Sequence, residues 1–226
     1  MPKSMISEKA RAIKRFLAGY RTRLNAEIAS HREIWRWTKA GRPVPPPHRV
    51  KIRTVKNFAR RFSASTMVET GTYTGNMVSA IKNDFQEVFS IELDDVLFSA
   101  AKDKFCGLDH VHILHGDSAT VLPKVLDRIR GCCIFWLDAH YSGGNTARGH
   151  ADTPIVDELR QILSCMHIEP VILIDDARLF VSHTPDSILD DSWPMLTDLS
   201  RIVLDKHPTW VFDVQDDIIH IHRPQA

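Results

Sequence analysis

Three aspartates stand directly after apolar runs. Asp138 follows Phe135-Trp136-Leu137, and Asp175 with Asp176 follows Val171-Ile172-Leu173-Ile174. Carboxylates crowded together repel one another unless a cation stands among them. An all-oxygen donor set of this kind suits Mg2+ or another hard divalent ion. Salt bridging to Arg178 or to lysines is the structural alternative. His140, two residues beyond Asp138, is a candidate general base. Residues 142–152 include Gly143, Gly144 and Gly149 with Arg148 and His150, and they read as a lid over an acceptor site.

Other apolar runs also end in polar residues. One ends Glu69-Thr70-Gly71-Thr72-Tyr73-Thr74-Gly75, an E-x-G-x-x-x-G pattern whose glycines let the backbone turn tightly and approach a ligand. It is neither the G-x-G-x-x-G of dinucleotide sites nor a P-loop. A second run ends at Glu92, 23 residues beyond Glu69, where an acid can accept hydrogen bonds from a ribose diol. A third ends His115-Gly116-Asp117-Ser118. There Asp117 and Ser118 either meet an adenine amino group or cap the next helix.

The elements that must position these residues alternate. Strands are expected at 66–69, 87–92, 111–115, 132–138, 171–175, 210–214 and 218–222. Helices are expected at 75–84, 95–105, 119–130, 154–166 and 187–204. Strand–helix alternation implies right-handed crossovers and a parallel sheet covered on both faces. Only Gln215-Asp216-Asp217 separates the last two strands. That is too short for a crossover, so they must form an antiparallel hairpin. Thr153 and Pro154 are placed to start a helix, as N-cap and first-turn residue. Trp136 is expected in the core.

The chain ahead of this alternation differs. Residues 1–61 carry 17 Lys/Arg against 3 Asp/Glu, whereas the rest carries 12 against 25, so the net charge of +1 conceals two opposite halves. Residues 5–39 show helical apolar spacing, with Trp35 and Trp37 unable to share one face. Gly41 to Pro47 ends that helix and stiffens the chain, which places a basic amphipathic extension at 1–47 and a second domain at 48–226. Cys106, Cys132, Cys133 and Cys165 have no metal-ligand spacing and read as buried reduced thiols. No run is long enough to cross a bilayer, and with no secretory signal the expected location is cytoplasmic.

Taken together, residues 64–222 resemble class I, Rossmann-like S-adenosylmethionine-dependent methyltransferases. The resemblance implies a doubly wound, mostly parallel seven-stranded α/β sheet. It also implies a cofactor site in which Glu69, Thr70, Gly71, Tyr73 and Gly75 face the methionine and ribose end. Glu92 would hold the ribose hydroxyls, Asp117 and Ser118 the adenine, and Asp138 would border both cofactor and acceptor. Asp138, Asp175 and Asp176 are placed like the acids of metal-dependent O-methyltransferases of the catechol and macrocin type. This implies Mg2+-assisted methylation of a small-molecule or sugar hydroxyl, with Asp138 and His140 as catalytic residues. The resemblance does not reach residues 1–47.

Two other classes compete. The basic front end with Trp35 and Trp37 suits a nucleic-acid methyltransferase, although no catalytic cysteine or N-P-P-Tyr-like motif accompanies it. The same amphipathic segment suits a membrane-surface or assembly module, or pairing of two copies through the N-terminal helices.

Overall fold

The structure is a computed structural model that describes residues 28–138, 153–181 and 193–225. The chain divides into two compact units, Met1–Val50 and Lys51–Ala226. In the first, residues 28–39 are helical (α1). Trp37 is buried and its indole Nε1 donates to the Pro43 carbonyl at 2.8 Å, while Trp35 is 62% exposed. The two tryptophans thus take opposite sides, as a two-residue offset on a helix requires.

α2 (His48–Phe62) spans the division between the units. Beyond it, strands and helices alternate as β1 (Thr66–Thr70), α3 (Asn76–Ile81), β2 (Glu87–Glu92), α4 (Asp95–Lys104), β3 (Val111–His115), α5 (Ser118–Leu126), β4 (Gly131–Leu137), α6 (Ile155–Ser164) and β5 (Ile168–Ile174). A short 3-10 turn (Ala177–Phe180), α7 (Leu196–Lys206), β6 (Val211–Gln215) and β7 (Ile218–His222) complete the unit. The sheet order is β3-β2-β1-β4-β5-β7-β6, with the first five strands parallel and β7 antiparallel to both β5 and β6. The expected doubly wound seven-stranded sheet with a terminal hairpin is therefore what forms. The hairpin turn is Asp216-Asp217, with both residues at positive φ (55° and 63°), the signature of a type I′ turn whose twist matches the strands it joins.

The central strands are apolar on both faces because helices cover both. On β4, Cys133, Phe135 and Leu137 pack with α5, α6 and α7, and the alternate Ile134 and Trp136 pack with α2, α3 and α4. Trp136 is 1% exposed, a core residue as expected. Each such side chain contributes about 1.5–3 kcal/mol by leaving water.

Two prolines show how this packing accommodates breakers. Pro170 lies inside β5, so the strand begins at Ile168 and not at residue 171. The β5–β7 ladder includes Ile172, Leu173 and Ile174 only, so Pro170 stands where β5 is still an edge on that side. Pro123 lies inside α5 and cannot donate to the Ala119 carbonyl. The Gln161 side-chain amide on α6 donates to that carbonyl instead, at 2.8 Å. At the start of α6 the Ile155 amide donates to the Thr153 hydroxyl at 3.3 Å, but the N-cap is Pro154, so the helix begins one residue later than expected and Thr153 lies just ahead of the cap.

The cysteines are all free thiols, but their burial is uneven. Cys133 is buried and Cys132 and Cys165 are half-buried, whereas Cys106 is exposed, contrary to the expectation of burial throughout. Burial pushes the Cys132 thiol up to about 11 and the Cys133 thiol up to about 12, which keeps both protonated and unreactive. Among the described residues, no helix is long and apolar enough to cross a membrane.

Candidate functional site

The strand order reverses between β1 and β4, and in open α/β sheets the crevice beyond such a switch point is where ligands bind. The two strand ends are tied together there, the Asp138 amide donating to the Thr70 carbonyl at 3.1 Å. The Asp175 amide donates to the Leu137 carbonyl at the same distance, which sets the end of β5 beside that of β4. Parallel register thus brings Thr70, Asp138 and Asp175 to one rim.

On the β1–β2 side the loop after Thr70 folds back on β2. The amides of Gly71 and Thr72 both donate to the Ile91 carbonyl, at 2.9 and 3.2 Å. Gly71, Tyr73 and Gly75 all adopt positive φ (85°, 49° and 66°). At Gly75 the backbone requirement is compounded by packing, since an added Cβ would lie 2.7 Å from the Phe105 ring. Glu92 fixes this loop by accepting from the amides of Tyr73 at 2.7 Å and Asp94 at 2.9 Å. A carboxylate offers about four lone-pair sites, so Glu92 retains acceptor capacity toward a diol.

Glu69 lies beneath the loop at 2% exposure and accepts from the Ser90 hydroxyl, which in turn accepts from Thr72 Oγ1 at 2.6 Å. Burial pushes its carboxyl up to about 8, partly opposed by the Ser90 bond. Asp117 caps α5, accepting from the Ala119 amide at 2.9 Å, so the capping reading of that residue has its bond in place. Ser118 is buried rather than presented on the surface.

The acids stand at the ends of β4 and β5. Asp138, Asp175 and Asp176 each place a carboxylate oxygen within 4.8 Å of the others, the one such acid grouping among the described residues. Asp176 sits in the left-handed region (φ 55°, ψ 48°), which short polar side chains tolerate at some cost and which often marks functional rims. Its amide donates to Asp175 Oδ1 at 2.9 Å. Crowding and burial push the carboxyls of Asp138 and Asp175 up, burial being the larger cause.

The cation that such crowding demands is already in the chain. The Lys51 ammonium on α2 pairs with Asp175 Oδ2 and lies 3.3 Å from Asp176 Oδ1. Arg178 donates to Asp176 Oδ1 at 2.8 Å and pairs with Asp217 of the hairpin turn. Asp217 is anchored in turn by accepting from the Arg178 amide at 2.8 Å. Lys51 and Asp217 were not among the residues expected at the site. For Lys51 the signal lay in the unbalanced acids and in a basic helix immediately ahead of β1. Asp217 carried no signal beyond its turn.

Glu158 is another unanticipated group. It projects from α6, is 1% exposed, and burial pushes it up to about 7 against the opposing pull of Ser118. The hydroxyls of Ser118 and Thr70 both lie against this carboxyl and oppose the upward shift. His140 and the lid expected at residues 142–152 lie outside the described residues.

No family model matches the chain, and no curated protein matches it in sequence. Solved structures do resemble it. The SAH-bound methyltransferase PaMTH1 of Podospora anserina aligns with a TM-score of 0.55 at 18% identity, over 87% of this chain and 88% of that one. An O-methyltransferase of Bacillus cereus in complex with SAH gives a TM-score of 0.55 at 12% identity, over 86% and 90% of the two chains. TomG of Streptomyces achromogenes, an O-methyltransferase involved in tomaymycin synthesis and solved with SAM, gives 0.51 at 14% identity, over 87% and 90%. The fold is that of class I S-adenosylmethionine-dependent methyltransferases.

Proposed function

We propose that this chain is an S-adenosylmethionine-dependent methyltransferase that methylates a hydroxyl of a small molecule or sugar with the help of a divalent ion. The observation that carries the reading is the convergence of polar strand ends at the β1/β4 switch point. Glu69, Glu92 and the glycine loop stand at the ends of β1 and β2, and Asp138, Asp175 and Asp176 at the ends of β4 and β5.

Glu92 retains lone pairs for the ribose hydroxyls, and the backbone of Gly71 to Gly75 leaves room for close approach. The buried Glu69 carboxyl suits the cofactor's amino group. It accepts that cation by giving up its own proton. Asp117 and Ser118 border the adenine end. The bound cofactor supplies an already activated methyl group, so the protein need only align the acceptor oxygen and take its proton.

Asp138, Asp175 and Asp176 are an all-oxygen, compact donor set that fits a hard divalent ion. Such an ion lowers the pKa of a coordinated hydroxyl and fixes its direction. His140 is proposed as the base that receives the proton. Residues 48–226 carry this activity, with residues 1–47 a basic appendage outside the catalytic pattern.

Calorimetry with S-adenosylmethionine tests the cofactor site, and saturable binding lost in Glu92→Ala is expected. Methyl transfer from labelled cofactor to a panel of hydroxyl acceptors should stop with a chelator and return with Mg2+. Turnover indifferent to chelation would remove the metal from this reading and leave the methyltransferase assignment standing.

A further inference from the structure

We propose that Lys51 is a tethered cation that competes with a divalent ion for Asp175 and Asp176, so that loading the site expels an ammonium the protein itself supplies. The inference rests on the metal-assisted reading above and adds to it what the acids do before the ion arrives.

The two cations at the rim are held differently. Arg178 is clamped, its guanidinium between Asp176 and Asp217 and its own amide bound to Asp217 Oδ1 at 2.8 Å. Lys51 has no such anchor. Among the described residues its ammonium pairs only with Asp175 and Asp176, from the end of a four-carbon stem on α2. An ammonium on a flexible stem is a mobile point charge, whereas a forked guanidinium is held in one geometry. The rim therefore combines one permanent counter-ion with one that can leave.

Both oxygens of the Asp175 carboxylate already have a partner while Lys51 is in place. Oδ1 accepts from the Asp176 amide at 2.9 Å and Oδ2 receives the ammonium. An incoming ion on Oδ2 would stand against the ammonium bound to the same oxygen, and the repulsion between the two cations drives Lys51 out. Without the ion, the ammonium keeps the acids from repelling one another and holds the rim assembled. Lys51 is thus a positioning residue in the metal-free protein and a competitor during loading.

Mn2+ binding to the full-length protein, read by electron paramagnetic resonance of the free ion, tests this without any turnover. Lys51→Met keeps the stem and removes the charge, and should tighten Mn2+ at least tenfold. Lys51→Arg should bind no more tightly than the wild type. Circular dichroism reports whether the variants fold. On the wild type alone, the lysine side-chain 15N resonance that disappears in Lys51→Arg should shift on saturation with Mg2+. Equal Mn2+ affinity in wild type and Lys51→Met, or a Lys51 resonance unmoved at saturation, would overturn the competition while leaving the metal site intact. Failure of both proteins to bind Mn2+ would overturn the competition and the metal reading together. Cofactor calorimetry on the same samples would then show whether the methyltransferase reading survives.

Discussion

The Tyr73 amide donates to the Glu92 carboxylate at 2.7 Å, joining the glycine loop after β1 to the end of β2. One side chain therefore both shapes the loop and faces the site the loop encloses. Glu92→Gln keeps an acceptor for one amide but removes the charge. It should weaken cofactor binding by about 1.5–3 kcal/mol, the range for hydrogen bonds to a charged group. Calorimetry checks this, and an unchanged affinity would mean that Glu92 serves the loop alone.

Gly75 meets two constraints at once, a φ of 66° and the Phe105 ring 2.7 Å from where a Cβ would stand. Gly75→Ala should lower stability by at least about 1–2 kcal/mol, the cost of the left-handed backbone alone. Urea unfolding measures it. Adding Phe105→Leu to the alanine variant should recover part of the packing loss but none of the backbone cost, so a full recovery would refute the backbone contribution.

Glu69 gives the protein a pH signature. Its folded carboxyl titrates at about 8 against 4.5 for the free group, so the folded state holds a proton that the unfolded state has lost. Its contribution is fully present below 4.5 and is lost as pH rises toward 8. The slope from this one group reaches about 1.4 kcal/mol per pH unit. Glu69→Gln should flatten that part of the curve, as measured by melting temperature across pH 5 to 8. In the wild type, cofactor binding at pH 7 should release protons. Calorimetry in buffers of different ionisation enthalpy detects this, and zero release would separate Glu69 from the amino group.

Asp217 binds Arg178 through both its backbone amide and its guanidinium. Asp217→Ala should cost about 1–3 kcal/mol of stability, the consequence of leaving partners of a buried acceptor unmet. It should also weaken Mn2+ binding by letting Arg178 collapse onto Asp176. A variant with wild-type stability would show that the turn conformation, not the carboxylate, holds the hairpin.

The strand ends were legible because each is written locally, as an apolar run broken by a glycine or an acid. Glu69, Glu92, Asp138 and Asp175 therefore appear at the rim where the alternation places them. Lys51 and Glu158 were not legible, because nothing local distinguishes one lysine of a basic helix or one glutamate of an amphipathic one. Their roles come from how α2 and α6 lie on the sheet, which no short pattern encodes. The expected start of β5, at residue 171, falls late. A proline normally ends a strand, but here β5 continues through Pro170 because the β7 ladder starts two residues later. His140 and residues 142–152 lie outside the described residues, so the acceptor side of the site has only its sequence to describe it.

The β7 strand lies between β5 and β6, and its turn supplies the carboxylate that holds Arg178. Without the hairpin, the β5 edge that β7 covers would be open, a template for strand pairing with another chain. One hairpin therefore serves two ends, covering the β5 edge through Ile218–His222 and holding Arg178 at the rim through its turn, so a chain truncated before it would lack both.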